Sequence, residues 1–366
     1  MSGPRIALDA FGTDARPEPE IAAAIQAAGA GVRIDLVGDQ ARLSDALQAG
    51  LAGQLQVVHA PSEIAMDESP ARAVRSKPDS SLCVAIDRLR SGDAQALVSA
   101  GNSGAILAAA LFRLGRIEGV DRPAIVTQVP QLRGPSGSSP DAVLLDAGAN
   151  VDCTILNLVQ FAVLGATWSQ IWQGVERPRV AVLSNGHEAT KGTALTRGAY
   201  QLLRDHGRDR GADAAFEFVG YVEANAMFSG ACDVIVTDGW TGNIALKLAE
   251  GAMAAWPRML HEALVDRRAT QPVTADGAAS ITASMKAVIE PALQDVAHRL
   301  DPDAHGGAPL LGVDGALIIC HGASGSGALY SALLMAHRFA ECGAIEALAR
   351  AVADHRELFE LARTLR

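Results

Sequence analysis

The chain is poor in aromatic residues, lysine and cysteine. Only 4% of its 366 residues are aromatic, against a hydrophobic share of 49% and a charged share of 20%. Alanine, valine and leucine must therefore supply the core, and such a composition argues against disorder. The five cysteines, Cys83, Cys153, Cys232, Cys320 and Cys342, are widely spaced with no CxxC pair. That pattern excludes a disulfide framework and reads as buried free thiols in a reducing compartment. No apolar run is long enough to span a bilayer. Met1 to Arg5 leads straight into a strand pattern, without a signal-peptide profile. A cytoplasmic protein is expected. The net charge of −10 argues against nucleic acid as a partner, because a phosphate backbone is gripped by a basic surface. The chain also lacks a GxSxG elbow, an opening GxGxxG, and any HExxH or spaced His/Asp cluster. A serine nucleophile, a dinucleotide site and a metal site are thus unsupported, and no cofactor is expected.

What is present is a repeated order of strand, glycine turn and helix. Short apolar runs at Ile6 to Leu8, Ile34 to Val37, Gln56 to His59, Ala96 to Ser99, Ala142 to Leu145, Arg179 to Leu183, Phe216 to Val219, Val234 to Thr237 and Leu317 to Cys320 read as strands buried on both faces. Helices are expected at Pro19 to Ala28, Ala71 to Lys77, Leu82 to Leu89 and Leu156 to Trp168, with another opening near Asn243. This alternation predicts an α/β fold with a largely parallel sheet, as one domain over residues 1–366. From 252 to 300 the strand signals stop, and two helical patterns around a polar interruption predict a projecting helical hairpin.

Parallel strands joined by crossover helices place their strand-to-helix turns at one edge of a sheet. Here those turns carry glycine with Asn, Ser, Thr or Asp: Asp9 and Gly12; Gly101, Asn102, Ser103 and Gly104; Asn150; Gly186 and Glu188; Asp238, Gly239, Thr241 and Gly242; and His321. Glycine lets backbone approach a ligand closely. Helix starts offer unpaired N–H groups. Together they suit phosphate or another oxyanion. Any one such turn, taken alone, reads better as a plain helix cap. The chain has four lysines, Lys77, Lys191, Lys247 and Lys286. Lys191 sits in the glycine loop Ser184 to Gly192, either as a phosphate contact or as a solvated loop charge. The loop is not a Walker motif, because its Gly-Lys order is inverted.

With these residues in view, the chain resembles the bacterial phosphate acyltransferases of phospholipid synthesis (the PlsX family, acyl-acyl carrier protein:phosphate acyltransferases). The likeness covers nearly the whole chain. It rests on Ile6-Ala-Leu-Asp-Ala-Phe-Gly-Thr-Asp14, Val98-Ser-Ala-Gly-Asn-Ser-Gly-Ala105, Leu145-Asp-Ala-Gly-Ala-Asn150, Val236-Thr-Asp-Gly-Trp-Thr-Gly-Asn243 and Gly306-Gly-Ala-Pro-Leu-Leu-Gly-Val313. The resemblance implies an isocitrate/isopropylmalate dehydrogenase-like layered fold and a homodimer. It implies transfer of a fatty acyl group from acyl carrier protein to inorganic phosphate, giving acyl phosphate. It assigns catalytic roles to Lys191 and Asn243, and in the family the hairpin tip is apolar and touches the inner face of the membrane. Departures are Ser184 for an asparagine, Thr13 for a glycine, Gly325 for an acidic residue, and a polar hairpin tip. Arg72, Arg75 and Lys77 are the candidate dock for an acidic carrier protein, or else a solvated helix face. Two other readings share these residues: a phosphotransacylase using acyl-coenzyme A, and a catalytically silent relative acting as a binding scaffold.

Overall fold

A computed structural model of the chain describes residues 3–44, 53–132, 141–211, 214–270, 291 and 306–365. Its sheet has strands β1 (Arg5–Asp9), β2 (Arg33–Gly38), β3 (Leu55–His59), β4 (Ala96–Ser99), β5 (Ala124–Val129), β6 (Ala142–Leu145), β7 (Arg179–Leu183), β8 (Glu217–Val222), β9 (Val234–Val236), β10 (Ala308–Leu311) and β11 (Ala316–Ile319). They lie in the order β3-β2-β1-β4-β11-β10-β5-β6-β9-β7-β8. The outer pairings are all parallel, whereas β11–β10, β10–β5 and β5–β6 are antiparallel. The fold is a layered α/β structure with a largely parallel sheet.

Those three reversals correct the expectation of one common edge. The half-sheet β6-β9-β7-β8 runs opposite to β3-β2-β1-β4-β11. The turns after β1, β4 and β11 leave one edge, and those after β6, β7 and β9 leave the other. Between the two half-sheets lie the central strands β5 and β10.

One face is covered by α1 (Glu18–Gly29), α5 (Ile155–Trp168), α8 (Ser326–Glu341), α9 (Ala344–Asp354) and α10 (Arg356–Thr364), over a continuous core that includes Leu8, Val98, Val126, Leu145, Phe161 and Trp168. On the opposite face the core splits. Helices α2 (Pro70–Ser76), α3 (Ser81–Ser91) and α4 (Ser103–Ala109) pack over Ala7, Leu97 and Leu317. A separate cluster around Leu144, Leu183 and Ile235 packs against Phe228 and Ala245. The space between the two clusters, above β5 and β10, is a cleft. The Asp35 carboxylate, fully buried, accepts from Arg5 Nη1 at 2.8 Å, Arg88 Nε at 2.5 Å and Gln56 Nε2 at 2.6 Å.

The helix expected to open near Asn243 opens four residues earlier, as α7 (Gly239–Thr270). Residues 252–270 of the expected hairpin continue this helix, and its tip and second arm lie outside the described residues. Helix α6 (Ala194–Arg210), capped by Thr193, follows the Lys191 loop. No helix among the described residues is long and apolar enough to cross a membrane.

Candidate active site

The cleft is a cavity of about 230 Å³ whose mouth is formed by Ser103, Gly148, Asn243, Lys247, Glu250 and His321. Ser103 and His321 come from turns of the first half-sheet, and the others from the second. Asn243 and Lys247 are four residues apart on α7, so they share one helix face. Lys247 Nζ donates to Glu250 Oε2 at 2.7 Å and lies 3.4 Å from His321 Nε2. Gly148, at φ +142°, adjoins Asn243, and a Cβ built there would sit 3.5 Å from the Asn243 Cβ. The mouth therefore holds an ammonium, an imidazole, an amide and a hydroxyl within a few residues of one helix, which suits an oxyanion and a polarised carbonyl.

Several residues expected to bind ligand through the turns are engaged within the protein instead. Asp238 caps α7: its carboxylate accepts from Thr241 N at 2.8 Å and Thr241 Oγ1 at 2.9 Å, and its carbonyl accepts from Gly242 N. Gly239 N donates to Asn150 O at 2.8 Å. Three of the N–H groups expected to face an anion are thus taken. Gly239 and Gly242 are glycines because two turns meet there. A Cβ on Gly242 would lie 1.9 Å from Asp146 O, and one on Gly239 would lie 2.6 Å from Asn150 O. Asn150 gives its amide to Pro123 O and Asp146 Oδ2. The Asp146 carboxylate is buried and gathers the N–H groups of Ile125, Gly148, Ala149 and Asn150. Burial raises its pKa, opposed by these donors.

The turns of the first half-sheet behave similarly. Asn102 accepts from Ala105 N at the start of α4, and its Nδ2 donates to Met66 O at 2.8 Å and Glu68 O at 3.2 Å. A Cβ on Gly12 would lie 2.7 Å from Gly101 N, and one on Gly104 would lie 2.7 Å from Pro70 Cγ, so these glycines permit packing. Buried Asp9 accepts from Ser99 Oγ at 2.7 Å and Phe11 N at 3.3 Å. Burial drives its pKa up. Ser103 and His321 are the expected site residues of these turns that reach the cleft.

Lys191, Glu188 and Gly186 form a loop of their own. Lys191 N donates to Glu188 O, Tyr221 Oη donates to Lys191 O at 3.3 Å, and a Cβ on Gly186 would meet the Lys191 stem at 2.9 Å. The Lys191 side chain is exposed and is not among the cleft-lining residues. Its loop follows β7, which pairs with β9, so it leaves the same edge as the start of α7. Of the basic dock, Arg72 and Arg75 are exposed, with Arg75 resting 5.0 Å from the Phe112 ring centroid. Lys77 is turned inward, donating to Glu63 O at 2.9 Å and Glu68 Oε1 at 2.6 Å, so its charge is engaged by the segment that precedes α2.

Lys247, Glu250 and Gln128 at the cleft were not among the candidates from sequence. The spacing from Asn243 to Lys247 carried a signal for the first of them. Burial pushes the Cys153 and Cys232 thiols up to about 12, so they are protonated at neutral pH and poor nucleophiles.

A family model described as fatty acid synthesis protein matches residues 4–347. The chain is 43% identical over 358 residues to a phosphate acyltransferase of Anaeromyxobacter sp. (strain Fw109-5), covering 97% of this chain and 92% of that protein. It is 44% identical over 351 residues to a phosphate acyltransferase of Myxococcus xanthus, covering 95% and 93%, and 44% identical over 340 residues to one of Thermus thermophilus, covering 93% and 95%. Among solved structures, the phosphotransacetylase EutD of Staphylococcus aureus aligns with a TM-score of 0.57 at 15% identity over 92% of this chain and 94% of that one. A phosphotransacetylase of Streptococcus pyogenes aligns with a TM-score of 0.58 at 16% identity, also over 92% and 94%. At such identities they share the fold alone. Matched over nearly its full length, the chain belongs to the fatty acid synthesis protein family, whose members named above are phosphate acyltransferases.

Proposed function

We propose that the protein transfers a fatty acyl group from acyl-acyl carrier protein to inorganic phosphate, releasing acyl phosphate for phospholipid synthesis. The observation that carries this reading is the cleft mouth, where Asn243, Lys247, Ser103 and His321 converge in a chain closely related to phosphate acyltransferases. Phosphate binds at the mouth against Lys247 and Asn243, with Lys191 supplying a second positive charge from the neighbouring loop. A phosphate oxygen attacks the thioester carbonyl, and the tetrahedral oxyanion is stabilised by donors already fixed around it. The carbon–sulfur bond then breaks. The acyl group stays on phosphate, and the thiolate leaves with the carrier and takes a proton from solvent. Holding both reactants in one cleft replaces a costly bimolecular encounter. No covalent enzyme intermediate is required.

Arg72 and Arg75, with exposed Phe112 beside them, are the proposed landing site for the acidic carrier. The protein acts as a homodimer at the cytoplasmic face of the membrane. Trp240, Ile244 and Leu248 form an exposed apolar stripe along α7 that supports a second copy as its cover. The test is phosphate-dependent thiol release from acyl-acyl carrier protein, with the acyl phosphate trapped by hydroxylamine. Acyl-coenzyme A in a parallel arm identifies the donor. Asn243→Ala and Lys191→Ala are expected to lower the rate at least tenfold. Full rates in both would remove the site assignment, and no turnover with either donor would leave a binding scaffold as the function.

A further inference from the structure

The cleft continues through the sheet. Consecutive residues of β5, Ile125 to Gln128, line the same cavity as Gly307, Ala308 and Pro309 around the start of β10. Successive residues of a strand face opposite sides of a sheet, so a cavity touching both sets passes between the strands. The pairing agrees. β10 meets β5 only at Leu310↔Ile125 and Leu311↔Ala124, while Ala308 and Pro309 pair with β11 alone. Pro309 has no N–H to offer a ladder. Gly307, at φ +87°, lets β10 hug β11: a Cβ there would lie 2.9 Å from Ile319 O and from Cys320 Sγ. β5 meanwhile stays with β6 as far as Val129↔Ala142. The two central strands therefore part, and a slot opens between them.

On the far side the slot ends at Trp168, Trp172 and Met335. The two indoles stack at 4.9 Å and 11°, and the Arg338 guanidinium covers Trp172 at 3.9 Å from its ring centroid. The cavity is thus polar at its mouth and aromatic and aliphatic at its end, the profile of a fatty acyl thioester or acyl phosphate.

We propose that the acyl chain threads this slot, with its carbonyl at Asn243 and Lys247, and that Trp172 is the end wall limiting chain length. The proposal rests on the acyl-transfer reading. Each methylene buried in the slot raises kcat/KM about fourfold until the chain reaches the indole, beyond which longer chains lose rate. The experiment measures phosphate-dependent acyl transfer with a ladder of saturated acyl donors from short to long, in the wild type and in three variants. Trp172→Ala is expected to move the maximum to longer chains. Ala308→Trp, which fills the slot between the strands, and Met335→Trp, which shortens its end, are expected to lower the ratio of long-chain to short-chain kcat/KM at least tenfold. If Trp172→Ala does not fold, the two filling variants decide. A fatty acid brominated at its far end provides a readout without turnover: it is expected to quench indole emission in the wild type and not in Ala308→Trp. An active wild type whose chain-length profile is the same in every folded variant overturns the slot and leaves the acyl-transfer reading standing. Absence of transfer at every chain length overturns that reading itself.

Discussion

Replacing Lys247 with methionine keeps the stem of the side chain and removes its charge. The ammonium lies at the cleft mouth, with 46% of the side chain exposed and bonds to Glu250 at 2.7 Å and His321 at 3.4 Å. A hydrogen bond from a charged donor to phosphate contributes roughly 1.5–3 kcal/mol, and partial exposure places this one near the lower end. At about 1.4 kcal/mol per decade, the KM for phosphate in Lys247→Met is expected to rise about tenfold. Glu250→Gln acts in the opposite sense: it releases Lys247 from its i,i+3 partner and takes a carboxylate away from the incoming anion, so the KM for phosphate should fall. The assay is initial-rate kinetics of acyl phosphate formation at varied phosphate and fixed ionic strength, with thermal melts to show that both variants fold. A wild-type phosphate KM in Lys247→Met would refute the placement of phosphate at this mouth.

Other expectations concern the frame that holds the cleft. Gly242→Ala should displace α7 from the Asp146 turn, because the added Cβ would lie 1.9 Å from the Asp146 carbonyl oxygen. A loss of several degrees in Tm together with activity is expected, and a wild-type melt would contradict the close approach. Asp35→Ala leaves Arg5 and Arg88 without their buried acceptor and should cost about 3 kcal/mol in urea unfolding. Burial raises the Glu20 pKa from 4.5 to about 7, opposed first by the Thr13 N–H, which donates to Oε1 at 2.8 Å. Because its folded value is raised, its contribution to stability is complete below pH 4.5 and is lost as pH climbs through 7. Glu20→Gln should therefore lose less stability than the wild type between pH 5 and 8, by about 2 kcal/mol in chemical unfolding. Parallel pH profiles would contradict this.

The strands that end in glycine turns were legible because each is a short apolar run stopped by turn residues. Arg179–Leu183, Ala96–Ser99 and Ala142–Leu145 fall where the pattern puts them. The central strands did not show. β5 mixes Thr127 and Gln128 into its run, and β10 is four residues long, follows two glycines and contains Pro309, so it reads as a turn. Missing them hid the reversal of the second half-sheet and the opposed sets of turns. Helix α6 was missed although Leu195, Ala199 and Leu203 recur at helical spacing, because glycines and arginines between them mask the pattern.

The candidate site was legible in the same uneven way. The Thr-Gly-Asn motif marks Asn243, and its helical spacing carries Lys247 to the same face. The motif does not reveal that Asp238 and Asn150 take up the N–H groups of the turn, because competition among acceptors is decided by tertiary approach. Trp172 gave no signal at all. It lies on a different helix and the opposite sheet face, and only the gap between β5 and β10 connects it to the chemistry.

The most direct measurement is a crystal structure of the protein with an acyl phosphonate, a non-transferable mimic of the acyl phosphate product. Its phosphonate should lie against Asn243 and Lys247, with the chain entering between Thr127 and Ala308. A phosphonate bound elsewhere, with the mouth empty, would contradict the assignment of this cleft as the site of acyl transfer.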